Sequence, residues 1–179
     1  MAKADWMYDS PELLTYYQTE WGQPEHDDQR LFELLCSELY QAGLSWRTVL
    51  NKRAAFRKAF KNYNIRKVAQ MTSEDIEQLM VNPMIIRNRA KLNATINNAQ
   101  AVLNVQASEG SFDRYLWGFV DGQQIVNHPK TWTEVPTESA LSLRISKDLK
   151  QRGFKFVGPV IIYSFLQVIG IVDDHLRPQ

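Results

Sequence analysis

The chain has 179 residues, 44% hydrophobic and 23% charged, with a formal net charge of +1. This composition is typical of a globular protein and predicts one domain over 1–179. No apolar run reaches the roughly 18 residues that a membrane span requires. The N-terminus lacks the apolar segment of a secretory signal. A single cysteine, Cys36, excludes an internal disulfide framework, fits a reducing cytoplasm, and lies in an apolar helical stretch typical of an inert core thiol.

Helical patterns account for most of the chain. Ser10-Pro11 combines a capping serine with a first-turn proline, and Thr72 with Asp75 forms the pattern of a capping box. Caps of this kind and apolar residues at helical spacing predict helices over 11–18, 28–40, 45–60, 64–71, 72–81, 87–107, 112–119, 137–153 and 159–169. Residues 121–136 are predicted to be a loop, and β-alternation is nowhere convincing beyond four residues. The sequence therefore predicts an all-α fold of about nine helices.

The charges are distributed unevenly despite the small net charge. Residues 1–46 carry nine acidic and two basic side chains, whereas residues 47–67 carry eight basic side chains and no acidic one. A second basic cluster occupies 144–155. Such a distribution can present a basic face to phosphates. Charge alone leaves open the alternative that these are ordinary solvated helix surfaces.

Common catalytic motifs are missing from the sequence. Neither a P-loop nor a dinucleotide-binding glycine pattern is present, and no serine or cysteine lies in a nucleophile motif. The three histidines, His26, His128 and His175, are far apart, and none has a second histidine or a cysteine at metal-ligand spacing. Each is interpreted as structural or exposed.

A helical hairpin is the first feature that can bind a macromolecule. The tight VNPMIIRNR connection joins the helices 73–81 and 87–107, and Asn82-Pro83 has to end the first helix because the residue before proline avoids the α region. Backbone N–H groups at a helix start, followed by the cations Arg87, Arg89 and Lys91, can grip a DNA phosphate. The loop lacks glycines, however, and spacing alone favours an ordinary αα-hairpin.

The second feature is a carboxylate among aromatic residues. Glu38 shares the i, i+3, i+4, i+7 positions of an apolar stripe with Leu31, Leu34 and Leu35, which predicts that it is buried. Five aromatic residues crowd the first 21 positions, and a sixth follows Glu38; they are Trp6, Tyr8, Tyr16, Tyr17, Trp21 and Trp46. An aromatic pocket with one buried acid suits a flat cationic ligand such as an alkylated base. The alternative is an aromatic core in which Glu38 bonds to a helix terminus.

Six sequence blocks together resemble the DNA-3-methyladenine glycosylase I family. In chain order they are Trp6 with EWG-x-P at 20–24, LFELLCSE, QAGLSWRTVLNKR, IIRNRAKL, RGFKFVGPVIIYSFLQVIG, and DDH at 173–175. The resemblance implies a fold of the helix-hairpin-helix glycosylase superfamily in two closely packed lobes. It also implies that the hairpin over about 73–107 grips a phosphate.

The resemblance further implies roles for particular residues. Glu38 matches the catalytic, base-recognising position, Tyr16 a second base contact and Trp46 the residue that stacks on the base, with Trp6 and Trp21 as further base-binding aromatics. Gln41 and Leu44 are candidates to fill the gap that a flipped nucleotide leaves. The implied DNA-binding set is completed by the hairpin cations Arg87, Arg89 and Lys91.

This chain departs from the family pattern at two places. Most members hold their termini together with a zinc ion bound by two cysteines and two histidines, and this chain has Ala4, Tyr17, His175 and the terminal Gln179 there. Only His175 is of ligand type, so we expect no metal. In addition, a tyrosine often found in the base pocket is Leu13 here.

The implied activity is monofunctional excision of 3-methyladenine from alkylated double-stranded DNA by base flipping, without a cofactor. The base already carries positive charge, so it leaves without protonation, and water captures the sugar. No catalytic base besides Glu38 is evident. We expect a cytoplasmic monomer with no membrane contact that releases free 3-methyladenine. The alternative is a non-catalytic relative that binds DNA or a nucleobase.

Overall fold

A computed structural model describes residues 6–177, which confirm the all-α fold class. Within that range there are ten α-helices rather than about nine. They are α1 Pro11–Thr19, α2 Asp28–Gln41, α3 Trp46–Asn51, α4 Arg53–Ala59, α5 Ile65–Ala69, α6 Ser73–Met80, α7 Arg89–Glu109, α8 Phe112–Gly118, α9 Ala140–Gln151 and α10 Pro159–Val168. Single 3-10 turns occur at Trp6–Tyr8, Lys61–Tyr63 and Trp132–Glu134.

Local capping begins several helices where the sequence places them. The Ser10 side chain accepts a hydrogen bond from the Leu13 N–H (3.2 Å), and Pro11 opens α1. Thr72 and Asp75 form the predicted capping box of α6, which satisfies two backbone N–H groups that have no partner within the helix. These starts are fixed by neighbours in sequence, which is why they can be predicted.

Three predicted boundaries are wrong. The helix over 45–60 is divided into α3 and α4 at Lys52, whose backbone leaves the helical region. The helix predicted from Thr137 begins at Ala140, because Ser139 makes a capping box with Ser142. The long helix begins at Arg89 rather than Arg87, because the side chain of Asn88 caps it.

The only sheet in 6–177 is a parallel pair of two-residue strands, β1 Ile125–Val126 and β2 Val172–Asp173. The Ile125 N–H donates to the Ile171 carbonyl (2.8 Å) and the Asn127 N–H to the Asp173 carbonyl (2.9 Å). Strands this short leave no alternation to detect in sequence. They fasten the loop after α8 to the C-terminal segment.

Helix α2 is the centre of the fold. Ten consecutive residues from Leu31 to Tyr40 are buried, because α3, α7, α8 and α10 all pack around it. The polar residues Glu33, Ser37 and Glu38 of this stretch are therefore buried as well. Cys36 is fully buried, as predicted, and burial raises the pKa of its thiol well above the usual value.

None of the helices within 6–177 has both the length and the hydrophobicity that crossing a bilayer requires.

Gly170 provides a test of the packing that joins the two ends of the chain. Its φ is +78°, and a Cβ there would overlap the Gln23 carbonyl group. Gly153 has a φ of +87° with nothing within 4 Å of such a Cβ. We expect Gly153→Ala to lower the free energy of unfolding by about 1–2 kcal/mol from backbone strain alone, and Gly170→Ala by roughly 2–5 kcal/mol because overlap is added. Denaturant unfolding of both variants measures this, and equal losses would contradict the packing.

Candidate functional site

A cavity of about 460 Å³ opens beside the second half of α2. This volume is in the range of small-molecule sites. Its lining is aromatic on several sides and polar at a few points. The lining residues are Trp6, Asp9, Leu13, Trp21, Glu38, Gln41, Ser45, Trp46, Arg47, Trp132, Val135, Thr137, Val160, Tyr163, Ser164, Gln167 and Val168.

Glu38 is the buried carboxylate of this cavity. Its exposed fraction is 3%, and its carboxylate makes no hydrogen bond or ion pair with any other residue of the described chain. Burial raises its pKa from 4.5 to about 8, since the charged form loses its hydration. The predicted burial is confirmed, whereas the alternative in which Glu38 bonds to a helix terminus is wrong.

Glu33, on the same helix, shows how a structural carboxylate is treated. It too is buried, but it accepts a hydrogen bond from Arg57 Nε (2.6 Å) and pairs with Arg30 (3.0 Å). Buried charges are normally paired in this way. The contrast singles out Glu38 as a buried carboxyl group that has no partner among residues 6–177.

The aromatic residues form a connected shell. The ring of Trp6 lies 6.3 Å from that of Tyr16, 6.0 Å from Trp21 and 6.1 Å from Trp132, and Tyr16 lies 5.5 Å from Trp46. Tyr16 contacts cavity residues but faces a smaller cavity of about 170 Å³. Burial, and then the nearby charge of Glu38, raise its pKa well above the usual value.

Three buried polar groups of this shell have no partner among residues 6–177. They are the Tyr16 hydroxyl and the indole Nε1 groups of Trp46 and Trp132. An unsatisfied buried donor costs about 1–3 kcal/mol, and a ligand that forms a hydrogen bond with it would remove this cost.

Gln41 and Leu44 lie together where α2 ends. Gln41 lines the cavity, and its carbonyl accepts a hydrogen bond from the Leu44 N–H (2.6 Å) across a turn in which Gly43 has a φ of +79°. The Leu44 side chain is 41% exposed. The turn continues directly into α3, which begins with Trp46.

Trp132 is a cavity residue that the sequence did not reveal. It lies in the segment predicted to be a loop, where periodicity gives no information, and its exposed fraction is 5%. A lone tryptophan between Pro129 and Pro136 in a polar stretch is the one hint that the sequence offers. Asp9, Tyr163 and Gln167 also line the cavity and were missed for a different reason: tertiary packing alone brings their elements to it.

The hairpin cations are in three different environments. Arg87 is exposed. Arg89 is exposed but paired with Glu77, with a second contact of 3.1 Å between Nη2 and Oε2. Lys91 is only 6% exposed, and its ammonium donates to the backbone carbonyls of Tyr40 (2.9 Å) and Ala42 (2.6 Å). The Lys91 ammonium is thus engaged inside the fold, which does not favour the predicted contact of this group with a DNA phosphate.

Intramolecular ion pairs also reduce the predicted basic face. Arg53 pairs with Glu20 (2.7 Å) and Arg57 with Glu33 (2.6 Å), so these two are not available to phosphates as unpaired cations. Exposed members of the segment without an ion pair in the described chain are Arg47, Lys58, Lys61, Arg66 and Lys67.

The position that the family uses for zinc does not fit a metal here. Nδ1 of His175 pairs with the Asp173 carboxylate (2.6 Å) and Nε2 with the Tyr17 carbonyl (2.8 Å), so both nitrogens face acceptors. The Tyr17 hydroxyl accepts from the Leu176 N–H (2.8 Å). Within 6–177 no group of three potential ligands is present. The remaining family positions, Ala4 and Gln179, lie outside the described residues.

Comparisons with known proteins agree on one family. The sequence pattern of the methyladenine glycosylase family matches residues 6–178. The chain is 44% identical to the DNA-3-methyladenine glycosylase of Haemophilus influenzae over 98% of this chain and 95% of that one. It is 44% identical to DNA-3-methyladenine glycosylase 1 of Escherichia coli over 98% and 94%. The structure of 3-methyladenine DNA glycosylase I from Staphylococcus aureus, solved to explain 3-methyladenine recognition, is 43% identical, with a TM-score of 0.92 over 94% of this chain and 90% of that one.

Metal analysis tests the His175 arrangement. We expect purified protein to contain far less than one zinc ion per chain, and a chelator to leave its melting temperature unchanged, because both nitrogens of His175 are engaged by oxygen acceptors. Replacing His175 by Ala should nevertheless lower the melting temperature, since two hydrogen bonds are lost. Stoichiometric zinc would contradict this interpretation.

The buried Glu38 predicts an unusual pH dependence of stability. Its pKa is about 8 in the folded chain and close to 4.5 when unfolded, so between these values the folded state holds one more proton and stability falls as pH rises. Glu38→Gln removes this effect. The variant should therefore gain free energy of unfolding over the parent progressively from about pH 5 to about pH 8, and by a constant amount above.

The matched control for this experiment is Glu77→Gln, which removes an exposed carboxylate whose pKa is lowered by Arg89. Its stability relative to the parent should show no such alkaline gain. Parallel pH profiles of the parent and Glu38→Gln would contradict an unpaired buried carboxyl group.

Proposed function

The chain belongs to the methyladenine glycosylase family, and on that premise we propose that it is a monofunctional base-excision repair enzyme that hydrolyses the N-glycosidic bond of 3-methyladenine in alkylated DNA. The observation that carries the proposal is the unpaired, buried carboxyl group of Glu38 in an aromatic cavity of the right size for a base. No cofactor is required, because the chemistry needs binding and charge stabilisation.

Glu38 recognises the base by charge and by hydrogen bonding. A cationic base in the cavity favours the ionised carboxylate, so binding lowers the pKa of Glu38 from its raised value. Its oxygens accept hydrogen bonds from the adenine edge. Neutral adenine lacks the positive charge and leaves much of the cost of ionising a buried acid uncompensated. Selectivity for the alkylated base follows from that difference.

The aromatic shell holds the base once it has left the helix. Trp46 stacks on its face, which offsets about 1–3 kcal/mol of the cost of flipping. Trp6 and Trp21 form walls of the cavity. Tyr16 lies behind this lining, 5.5 Å from Trp46, and its unpaired hydroxyl is the group that would contact the base. Leu13 is a fully buried, apolar part of the same lining, which is compatible with an aromatic ligand.

Double-stranded DNA lies across the mouth of the cavity. Gln41 and the exposed Leu44 fill the gap left by the flipped nucleotide, since both extend from the turn that follows Glu38. Arg87 contacts the backbone near the start of α7, and Arg89 does so by exchanging Glu77 for a phosphate. Hydrolysis is completed when water captures the sugar cation after the base has separated.

We also propose a single domain that acts as a cytoplasmic monomer. The lone Cys36 is fully buried and is suited to a reducing compartment. Large exposed apolar side chains of the described surface, such as Tyr8, Val81 and Leu143, belong to different elements. Size measurement in solution tests the monomer.

Release of free 3-methyladenine from methylated duplex DNA tests the activity directly. Under single-turnover conditions we expect Glu38→Gln to lower the rate by about one to three orders of magnitude, because a charge-assisted interaction of roughly 1.5–4 kcal/mol is lost while the amide remains easy to bury. At saturating protein, where a change in DNA affinity through Arg89 does not affect the rate, Glu77→Gln, which changes an exposed carboxylate outside the cavity, should retain the parental rate. A well-folded Glu38→Gln protein with parental excision would contradict the role of Glu38.

Binding without excision is the outcome expected of a non-catalytic relative. In that case the parent protein would bind free 3-methyladenine and release none from methylated DNA. If the parent excises the base, Trp46→Ala tests the stacking role: the inhibition constant of free 3-methyladenine should rise roughly 5- to 100-fold as stacking is lost, and equal inhibition of variant and parent would remove Trp46 from the pocket.

A further inference from the structure

Lys91 connects the hairpin to the turn beside the cavity. It lies in the first turn of α7, and its ammonium is held between the carbonyls of Tyr40 (2.9 Å) and Ala42 (2.6 Å). Tyr40 belongs to the last turn of α2, and Ala42 is the residue that follows the helix. One buried cation thus bonds to both sides of the point where α2 ends.

The carbonyls at this point need partners that the helix cannot supply. The last carbonyls of an α-helix have no N–H group to accept from, and they carry the negative end of the helix dipole. An ammonium is well suited to both, because it brings positive charge and several donors. In this chain the partner is Lys91, which lies 51 positions after Tyr40 and 49 positions after Ala42.

The fixed turn carries the residues that meet the DNA and the base. Glu38 lies in the last turn of α2, Gln41 ends the helix, and Leu44 and Trp46 follow within five residues. Ala42 has a backbone outside the helical region, and the Leu44 N–H returns to the Gln41 carbonyl (2.6 Å). The conformation of this short turn therefore sets where Gln41 and Leu44 lie relative to Glu38.

We propose that Lys91 is a positioning residue for base excision, which holds the 41–46 turn in a fixed place on the hairpin. The inference rests on the proposed function. DNA bound by the hairpin is then held at a fixed distance from Glu38 and from the 41–46 turn, whose Gln41 and Leu44 fill the gap left by the flipped nucleotide. An error of about 1 Å in such an arrangement can lower a rate about 100-fold, so rigidity here serves the reaction rather than the affinity of the pocket.

Thr95 provides a matched control on the same face of α7. One turn after Lys91, its hydroxyl donates to the Lys91 carbonyl (3.0 Å) and pairs with the Tyr40 hydroxyl (2.9 Å). It is fully buried and joins the same two helices. Its bonds, however, involve the Tyr40 side chain and not the carbonyls of the turn. Thr95→Val therefore removes a buried link between α2 and α7 without releasing residues 41–46.

The experiment compares Lys91→Met with Thr95→Val. Methionine keeps most of the aliphatic stem of lysine and loses the ammonium. Three quantities are measured: the melting temperature, the single-turnover excision rate on methylated duplex DNA, and the inhibition constant of free 3-methyladenine. We expect both variants to have lower melting temperatures. Excision should fall roughly 10- to 100-fold in Lys91→Met only. Free base should bind both variants within about threefold of the parent, because neither residue lines the cavity and Trp46 is held separately by the Ser45 cap of α3 and by its contact with Tyr16.

Equal excision rates for the two variants, with both folded, would overturn the positioning role. A matching loss of free-base binding in Lys91→Met would also overturn it, since the pocket itself would then have collapsed. If Lys91→Met does not fold at the assay temperature, Lys91→Gln replaces it, because its amide can keep one donor; excision should then fall by an intermediate amount. An inactive parent would refute the proposed function, whereas an active parent with an equally active Lys91 variant refutes only this inference.

Discussion

Burial of α2 on all sides is the constraint on which the site depends. A helix at the centre of a core has no solvent face, so each of its polar residues requires a partner or carries a cost. Glu33 meets that requirement with Arg30 and Arg57, while Glu38, little more than one turn further on, does not. The same packing that stabilises the fold thus raises the pKa of Glu38 to about 8. The unpaired Glu38 lowers the stability of the free protein, and a positively charged ligand in the cavity can compensate for this loss.

The ends of the chain complete the cavity around that carboxyl group. The parallel pairing of β1 with β2 attaches the loop that carries Trp132 to the C-terminal segment. His175, whose Nδ1 contacts the Asp173 carboxylate, then donates from Nε2 to the Tyr17 carbonyl, and its ring lies 5.0 Å from that of Trp21. Hydrogen bonds thus connect the C-terminal segment to α1, and they engage both nitrogens of His175, the residue at the position where the family binds zinc.

Charge in this protein serves the inside of the fold as much as its surface. The basic run after residue 46 suggested a continuous phosphate-binding face, yet Arg53 and Arg57 neutralise carboxylates of the acidic N-terminal segment. The ammonium of Lys91 is also used inside the fold, where it donates to the backbone carbonyls of Tyr40 and Ala42. Part of the acidic N-terminal segment and part of the basic segment that follows it therefore neutralise each other through intramolecular ion pairs.

The sequence by itself determined the features that depend on near neighbours and on periodicity. These include the caps at Ser10 and Thr72, the helical class, and the burial of Glu38 on an apolar stripe, because each is governed by residues within about one or two turns. Only the tertiary structure decided that Glu38 has no partner within the described part of the chain, that Trp132 lines its cavity, and that Lys91 points inward. Those properties depend on which distant segments meet, and a side chain's charge does not reveal whether its partner is a phosphate, a carboxylate or a helix end.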